Sequence, residues 1–181
     1  RQGDQIRGCS PAEARLAVTA LAGLHGPRWC DPDWLGFTGT VMPKADEPTA
    51  RGLGEITIMA AGSTVEKLGD RMTPADRETV LESAERIADW LLAAPERFSL
   101  LHGDYRLDNL LFDPSRSAVT VVDWQTLAVG LPARDLAYFV ATSLHPDERA
   151  AAERALVQNY HLALTGYGVG DYDAETCWQD Y

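Results

Sequence analysis

Apolar residues recur at helical spacing in several stretches of the chain, and two of these begin with a clear helix start. Each start has a Ser or Thr, then a Pro, and an acidic residue two positions after the Pro. This is the pattern of a capping box with Pro at the first helical position. The two stretches are Ser10-Pro11-Ala12-Glu13 and Thr73-Pro74-Ala75-Asp76. The pattern predicts helices from residue 10 to His25, over 74–94, over 133–144 and over 146–165, and a last one from Asp173.

Short runs of β-prone residues lie between the second and third predicted helices. They predict strands over residues 98–101, 109–112 and 118–122. The stretch Asp113-Pro114-Ser115-Arg116 is typical of a turn, so residues 110–122 form a predicted hairpin with polar loops at its open end. The pattern therefore predicts an α+β fold that is mainly helical and contains one small β-hairpin.

Two stretches are less regular. Residues 27–50 are rich in Pro and Gly, and we expect a loop there with one turn of helix at residues 32–37. Residues 51–69 are compatible with a strand over residues 55–60 or with an irregular helix that ends at Gly69, and the sequence leaves both open.

The composition is that of one globular domain, with 181 residues, 45% hydrophobic and 24% charged. The net charge of −11 argues against nucleic acid as a partner and is compatible with a small cationic substrate. No apolar run approaches the roughly 20 residues that a membrane-spanning helix needs, so no membrane partner is expected. Three separated cysteines indicate neither a disulfide framework nor a zinc knuckle, and a reducing cytoplasm is the simplest setting.

Polar side chains that can bind a metal or accept a proton follow the predicted strands. Asp104 and Asn109 lie in the loop after the first strand, and Asp123 follows the third. Taken singly, each is best interpreted as a turn former. Together, Asn109 and Asp123 offer the oxygen ligands that Mg²⁺ prefers, which leaves Asp104 to accept a proton from an attacking hydroxyl. Arg106 supplies a fixed positive charge for a transferred phosphate.

Two other functions fit the same residues. A metal-dependent hydrolase would use His102, Asp104 and Asp123 as ligands, although a two-metal site needs more His than these loops contain. A non-catalytic binding module with a relict site is the second, and the complete set of Asp104, Asn109 and Asp123 argues against such decay.

The two loops resemble those of a known family. The stretch His102-Gly103-Asp104-x4-Asn109, followed by Val121-Val122-Asp123-Trp124-Gln125, is similar to the paired motif of the aminoglycoside phosphotransferase and choline kinase-like family, and especially to its uncharacterised "phosphotransferase family" branch. The resemblance implies that residues 1–181 form the C-terminal lobe of a protein kinase-like fold. It also implies transfer of the γ-phosphate of ATP, with Mg²⁺, to a hydroxyl of a small molecule.

The resemblance implies a role for each matched residue. Asp104 matches the catalytic base, and Asn109 and Asp123 match the Mg²⁺ ligands. Leu111 falls where the family places an apolar floor under the adenine of ATP. Arg106 falls where protein kinases keep a phosphate-contacting Lys.

Two more residues are implied to support the loop. Asp135, within Ala133-Arg134-Asp135-Leu136-Ala137, matches a buried Asp that binds backbone N–H groups of the catalytic loop. His102 is expected to hold the geometry of that loop.

A family member also needs an N-terminal lobe with a phosphate-covering loop and a Lys that binds the nucleotide. No Gly-rich turn between strands precedes residue 51, and Lys44 and Lys67 lie in poor contexts for that role. We therefore expect a C-terminal lobe truncated at both ends, which binds ATP poorly and turns over little by itself. Aminoglycosides, choline-like amines, sugars, homoserine and hydroxyacyl compounds all remain possible acceptors, and the oligomeric state is not indicated.

Overall fold

The structure, a computed structural model, describes residues 1–37 and 39–181. The helices of this described part are α1 (Pro11–His25), α2 (Glu47–Leu68), α3 (Pro74–Glu85), α4 (Ile87–Leu92), α5 (Ala133–Ser143), α6 (Pro146–Gly166) and α7 (Ala174–Asp180). The strands are β1 (Ser99–Leu101), β2 (Leu110–Phe112), β3 (Val119–Val121) and β4 (Ala128–Gly130). The predicted fold class, mainly helical with a small amount of antiparallel sheet, is confirmed.

The chain divides into two compact units. One consists of Arg1–Pro43 and Glu96–Tyr181, and the other of Lys44–Pro95. The first unit contains α1, all four strands and α5 to α7, and every predicted site residue lies in it. The second contains α2, α3 and α4.

The core of the first unit is built from the apolar faces of α1, α5 and α6. Helix α1 begins with the predicted capping box, in which the backbone N–H of Glu13 donates to the Ser10 hydroxyl at 3.3 Å and that of Ser10 donates to the Glu13 carboxylate at 3.0 Å. The residues of these helices that form the core are fully or almost fully buried: Ala17, Val18, Leu21, Leu136, Phe139, Val140, Leu156, Val157, Tyr160 and Leu164. Burial of this many apolar side chains fixes the position of α5, on which the site depends.

Two antiparallel pairs of strands carry the polar loops. The predicted hairpin is confirmed, with Leu110 opposite Val121 and Phe112 opposite Val119. Strand β1 pairs with β4, and Ser99 lies opposite Gly130. Strand β4 was not predicted, because Ala128-Val129-Gly130 has one β-branched residue between two residues of low β-propensity.

The second unit resolves the ambiguous stretch as helix. The Asp46 carboxylate caps α2 by accepting the backbone N–H of Thr49 at 2.9 Å, and Pro48 occupies the first turn. The strand interpretation of residues 55–60 is therefore wrong, and the predicted loop over residues 27–50 ends at Asp46. Thr38, inside that predicted loop, lies outside the described residues.

The predicted single helix over 74–94 is interrupted. Helix α3 ends at Glu85, and the backbone N–H of Arg86 donates to the carbonyl of Ser83 at 3.1 Å, a tighter turn than the α-helical one. Helix α4 then ends at Leu92. Over the ranges that the structure describes, none of the helices is long and apolar enough to cross a membrane.

Candidate active site

A carboxylate from α5 fixes the loop that follows β1. Asp135 lies in the first turn of α5 and is only 3% exposed. Its Oδ2 accepts the backbone N–H of His102 at 2.6 Å, and its Oδ1 accepts that of Gly103 at 3.1 Å. Since hydrogen bonds to an ionised acceptor are strong, these two set the path of the chain into Asp104.

His25, the last residue of α1, contacts the same carboxylate from the core side. Its Nε2 lies 3.4 Å from Asp135 Oδ2, and its Nδ1 lies 2.7 Å from the hydroxyl of Tyr160 on α6. Burial raises the pKa of Tyr160 well above its ordinary value, so this side chain remains a hydroxyl. The His25 ring thus lies within hydrogen-bond distance of Asp135 through Nε2 and of Tyr160 through Nδ1. The loop anchor is thereby joined to two core helices.

His102 is fully buried, and both of its ring nitrogens are engaged. Nε2 donates to the carbonyl of Val122 at 3.0 Å, and Nδ1 accepts the backbone N–H of Asp104 at 3.3 Å. The ring also lies 4.9 Å from that of Trp124. With no free lone pair, His102 can neither bind a metal nor act as a base, and it ties the Asp104 loop to the end of β3.

Gly103 adopts a conformation that other residues avoid. Its φ is +79°, and a Cβ at this position would collide with the carbonyl oxygen of Thr126. The Thr126 hydroxyl donates to the carbonyl of His102 at 2.9 Å and holds the two segments at this separation. A glycine is therefore required between His102 and Asp104.

The Asp104 carboxylate is the centre of the site. Its Oδ2 accepts a hydrogen bond from Asn109 Nδ2 at 3.0 Å and lies 3.2 Å from Arg106 Nε. Its Oδ1 accepts the Tyr138 hydroxyl at 3.2 Å. The side chain is 28% exposed, so a substrate can reach it. A carboxylate that is both held in place and accessible has the geometry of a general base.

Asn109 is almost fully buried beside Asp104. Its Nδ2 donates to the carboxylate and also, at 2.9 Å, to the backbone carbonyl of Asp104. Both hydrogen bonds of this side chain within the described residues use the amide nitrogen, which leaves Oδ1 for a cation.

Asp123, the second predicted metal ligand, follows β3. The backbone N–H of Val122 donates to the carbonyl of Asn109 at 3.0 Å, and the carbonyl of Val122 accepts from the His102 ring. Asp123 is the next residue in the chain. Asp123 itself is exposed and has left-handed backbone angles, φ 67° and ψ 65°, which Asp tolerates better than most residues. An amide oxygen and a carboxylate are hard ligands, and their chemistry fits Mg²⁺.

Arg106 lies against the carboxylates of its own loop. Its Nε is 3.2 Å from Asp104 Oδ2, and its Nη1 is 3.7 Å from Asp108 Oδ2. The side chain is 40% exposed, so these ion pairs contribute little to stability. Nε is nonetheless buried and forms no hydrogen bond within the part of the chain that the structure describes. The exposed part of the Arg106 side chain carries the positive charge that suits an anionic ligand such as phosphate.

Leu111 occupies the outer face of the hairpin. It is 38% exposed, whereas its neighbours Leu110 and Phe112 are buried in the core. Alternate side chains of a strand point to opposite faces, so Leu111 presents an apolar surface to solvent, as a floor under adenine requires.

The geometry weakens the hydrolase hypothesis. In residues 1–37 and 39–181, no three side chains of His, Cys, Asp or Glu are grouped as they would be around a metal ion. Of the three proposed ligands, His102 has both nitrogens engaged.

Two residues of the site were missed by sequence reasoning. His25 was expected only to end a helix, and its contact with Asp135 joins residues far apart in the chain. Tyr138 lies three residues after Asp135, and side chains at this spacing share a helix face. That spacing is the one signal in the sequence that connects Tyr138 to the site.

Comparison with known proteins places the fold and the motifs in a family. The model of the Phosphotransferase enzyme family, APH, matches residues 10–172. In the crystal structure of the macrolide 2'-phosphotransferase MphH from Brachybacterium faecium, an apoenzyme, the similar region covers 94% of this chain and 50% of that chain. The TM-score is 0.51 at 24% sequence identity, which shows a shared kinase-like fold.

Curated relatives are similar over shorter stretches. Acyl-CoA dehydrogenase family member 11 of Gallus gallus is 35% identical over 124 residues, which are 68% of this chain and 14% of that protein. Acyl-CoA dehydrogenase family member 10 of Mus musculus is 42% identical over 62 residues, which are 32% of this chain and 6% of that protein. The chain thus spans a small part of the length of these relatives. The family match over residues 10–172 shows that the chain belongs to the phosphotransferase enzyme family.

Proposed function

We propose that the chain is the catalytic lobe of an ATP- and Mg²⁺-dependent phosphotransferase whose acceptor is a hydroxyl group of a small molecule. The observation that carries the proposal is the Asp104 carboxylate, which is accessible and is held by Asn109 and Tyr138. Its loop is anchored on α5 through Asp135. Membership of the phosphotransferase family supports phosphoryl transfer as the reaction.

In the proposed reaction, the acceptor oxygen forms a bond to the γ-phosphorus of ATP, and the bond from that phosphorus to the oxygen of ADP breaks. The hydroxyl proton passes to the Asp104 carboxylate. Arg106, whose side chain is 40% exposed, would contact the transferred phosphate. Both side chains come from one loop, so their relative positions are set by the backbone contacts of His102 and Gly103.

Asn109 Oδ1 and the Asp123 carboxylate would hold Mg²⁺, which when bound neutralises charge on the phosphates of ATP. Two protein oxygens suit this ion, because Mg²⁺ in nucleotide sites takes its remaining ligands from phosphate and water. Leu111 would lie under the adenine.

We further propose that an N-terminal nucleotide lobe works with this chain. Both sheets found in the described residues have only two strands, whereas a nucleotide lobe of this fold is rich in β-structure. A reducing cytoplasm is part of the proposal, since Cys9, Cys30 and Cys177 are free thiols. The net charge of −11 favours a cationic small molecule over nucleic acid as partner.

The acceptor panel follows from the relatives and from the charge. It contains erythromycin, because the solved phosphotransferase is named for macrolides and erythromycin is a macrolide. It also contains 3-hydroxybutyryl-CoA, because the curated relatives are named for acyl-CoA. Choline and homoserine represent cationic and amino acid hydroxyls.

The test is transfer of labelled γ-phosphate from Mg-ATP to this panel by the full-length protein, meaning this chain together with the proposed nucleotide lobe. We expect transfer to at least one acceptor, its loss when EDTA removes Mg²⁺, and little transfer by residues 1–181 alone. ATP binding without transfer to any acceptor would instead support a non-catalytic module. Undiminished transfer in EDTA would contradict the role of Asn109 and Asp123.

A further inference from the structure

We infer that Tyr138 is a positioning residue of the acceptor site, which orients Asp104 so that its Oδ1 receives the proton of the acceptor hydroxyl. The inference rests on the proposed function and deepens it, because it locates the side of Asp104 from which the acceptor approaches.

The two oxygens of Asp104 have different surroundings. Oδ2 accepts a hydrogen bond from Asn109 Nδ2 at 3.0 Å and forms an ion pair with Arg106, whose Nε lies 3.2 Å away. Oδ1 accepts from Tyr138 at 3.2 Å, and the described residues show no second donor to it. A carboxylate oxygen has two acceptor positions, so one position on Oδ1 is free for an incoming hydroxyl.

The contact from Tyr138 is long enough to adjust when an acceptor binds. A hydroxyl that donates to a carboxylate normally lies about 2.6 Å from it, whereas Tyr138 lies at 3.2 Å. Tyr138 can therefore keep donating to Oδ1 while the acceptor hydroxyl donates to the free position. The proton passes from the acceptor to Asp104, and Tyr138 neither gains nor loses one.

Helix α5 holds Tyr138 in register with the loop anchor. Asp135 and Tyr138 are three residues apart on one face, and the next residues, Phe139 and Val140, are fully buried. The helix that fixes the loop backbone thus also fixes the donor to the base. Core packing does not account for Tyr138, because its own side chain is 41% exposed.

Tyr138 remains a donor through the neutral range. Burial, the charge of Asp104 and the hydrogen bond to it all raise the pKa of the Tyr138 hydroxyl above its ordinary value. In this contact the Tyr138 hydroxyl therefore donates and the Asp104 carboxylate accepts.

The test compares Tyr138→Phe with wild type in the full-length protein, with Mg-ATP and the panel of erythromycin, 3-hydroxybutyryl-CoA, choline and homoserine. We expect kcat/KM for the acceptor to fall about 10- to 100-fold, with the KM for ATP changed by less than about twofold. The melting temperature should be unchanged. Tyr138→His, which keeps a donor, should recover part of the loss, and Tyr167→Phe, at another exposed tyrosine, should behave as wild type.

Each other result overturns the inference. Wild-type rates in Tyr138→Phe, together with loss of transfer in Asp104→Asn, would refute the role of Tyr138 and leave the proposed function intact. If Tyr138→Phe raised the KM for ATP by as large a factor as it lowered kcat/KM for the acceptor, and also lowered the melting temperature, Tyr138 would have a structural role only. No turnover of any panel compound by the wild type would refute both.

Discussion

The Asp135 carboxylate accepts the backbone N–H of His102 at 2.6 Å and so ties α5 to the loop that carries Asp104. The same carboxylate accepts the backbone N–H of Gly103 and contacts His25. The position of Asp104, the proposed base, is therefore set by a buried residue that follows it in the chain.

Replacing Asp135 should be costly because it leaves buried donors unpaired. We expect Asp135→Ala to lower the free energy of unfolding by about 2–4 kcal/mol, from two lost backbone hydrogen bonds to a buried charge. Urea denaturation of residues 1–181 measures this. Asp171→Ala, at an exposed carboxylate, should stay within about 0.5 kcal/mol of wild type. Equal losses in the two variants would contradict the anchor.

Substitutions at Gly103 and Gly168 distinguish the cost of backbone strain from the cost of a steric collision. Gly103 and Gly168 both have positive φ, +79° and +90°, but only at Gly103 would a Cβ meet the Thr126 carbonyl, and at Gly168 it would enter open space. We expect Gly168→Ala to cost about 1 kcal/mol of stability and Gly103→Ala about 3 kcal/mol or more, measured by urea denaturation. Similar costs would show that the loop relaxes around the added methyl group.

The hairpin turn should weaken in acid. Hydrogen bonds from the Ser115 hydroxyl and from the backbone N–H groups of Ala118 and Ser117 lower the pKa of Asp113 well below its ordinary value. Because the folded-state pKa is depressed, this stabilisation is complete above the unfolded-state pKa of about 3.9 and is lost as the pH falls below it.

The corresponding measurement follows melting temperature against pH. Wild type should melt above Asp113→Ala at pH 7, and the difference should shrink steadily below about pH 4. A difference that stays constant down to the lowest pH would mean that the ionised carboxylate does not stabilise the turn.

The contact between Tyr138 and Asp104 can be observed without turnover. The negative charge of Asp104 helps to raise the pKa of Tyr138, so Asp104→Asn should lower that pKa towards the ordinary value of about 10. Carbon-13 NMR of ring-labelled tyrosine in residues 1–181 measures the titration of Tyr138. An unchanged Tyr138 titration would show that the two groups are apart in solution.

The sequence predicts the parts of the site that depend on local spacing. Asp104 and Asn109 share one loop, and the turn at Asp113–Arg116 folds β3 back onto β2. This brings Val122, the residue before Asp123, beside Asn109. The fold class and the family follow from the same motifs and are confirmed. The chemical roles of these residues remain predictions.

Contacts between distant segments were beyond sequence reasoning. Strand β4 forms through its pairing with β1 and a bridge from Ala128 to Met42, and His25 reaches Asp135 because α1 and α5 pack in one core. Helix α2 was ambiguous because its apolar residues suit a strand locally, and the Asp46 cap decides in favour of helix. In each case a tertiary or capping interaction outweighs a weak local preference.

The central claim is that Asp104 accepts the proton of the acceptor hydroxyl, and its most direct test is γ-phosphate transfer by Asp104→Asn in the full-length protein. Asn has the same shape but cannot take the proton, so kcat should fall about 10²- to 10⁴-fold. Asp108→Asn is the matched control, a carboxylate of the same loop that is 40% exposed, and it should keep kcat within about threefold of wild type. A rate in Asp104→Asn close to that of Asp108→Asn would contradict the claim.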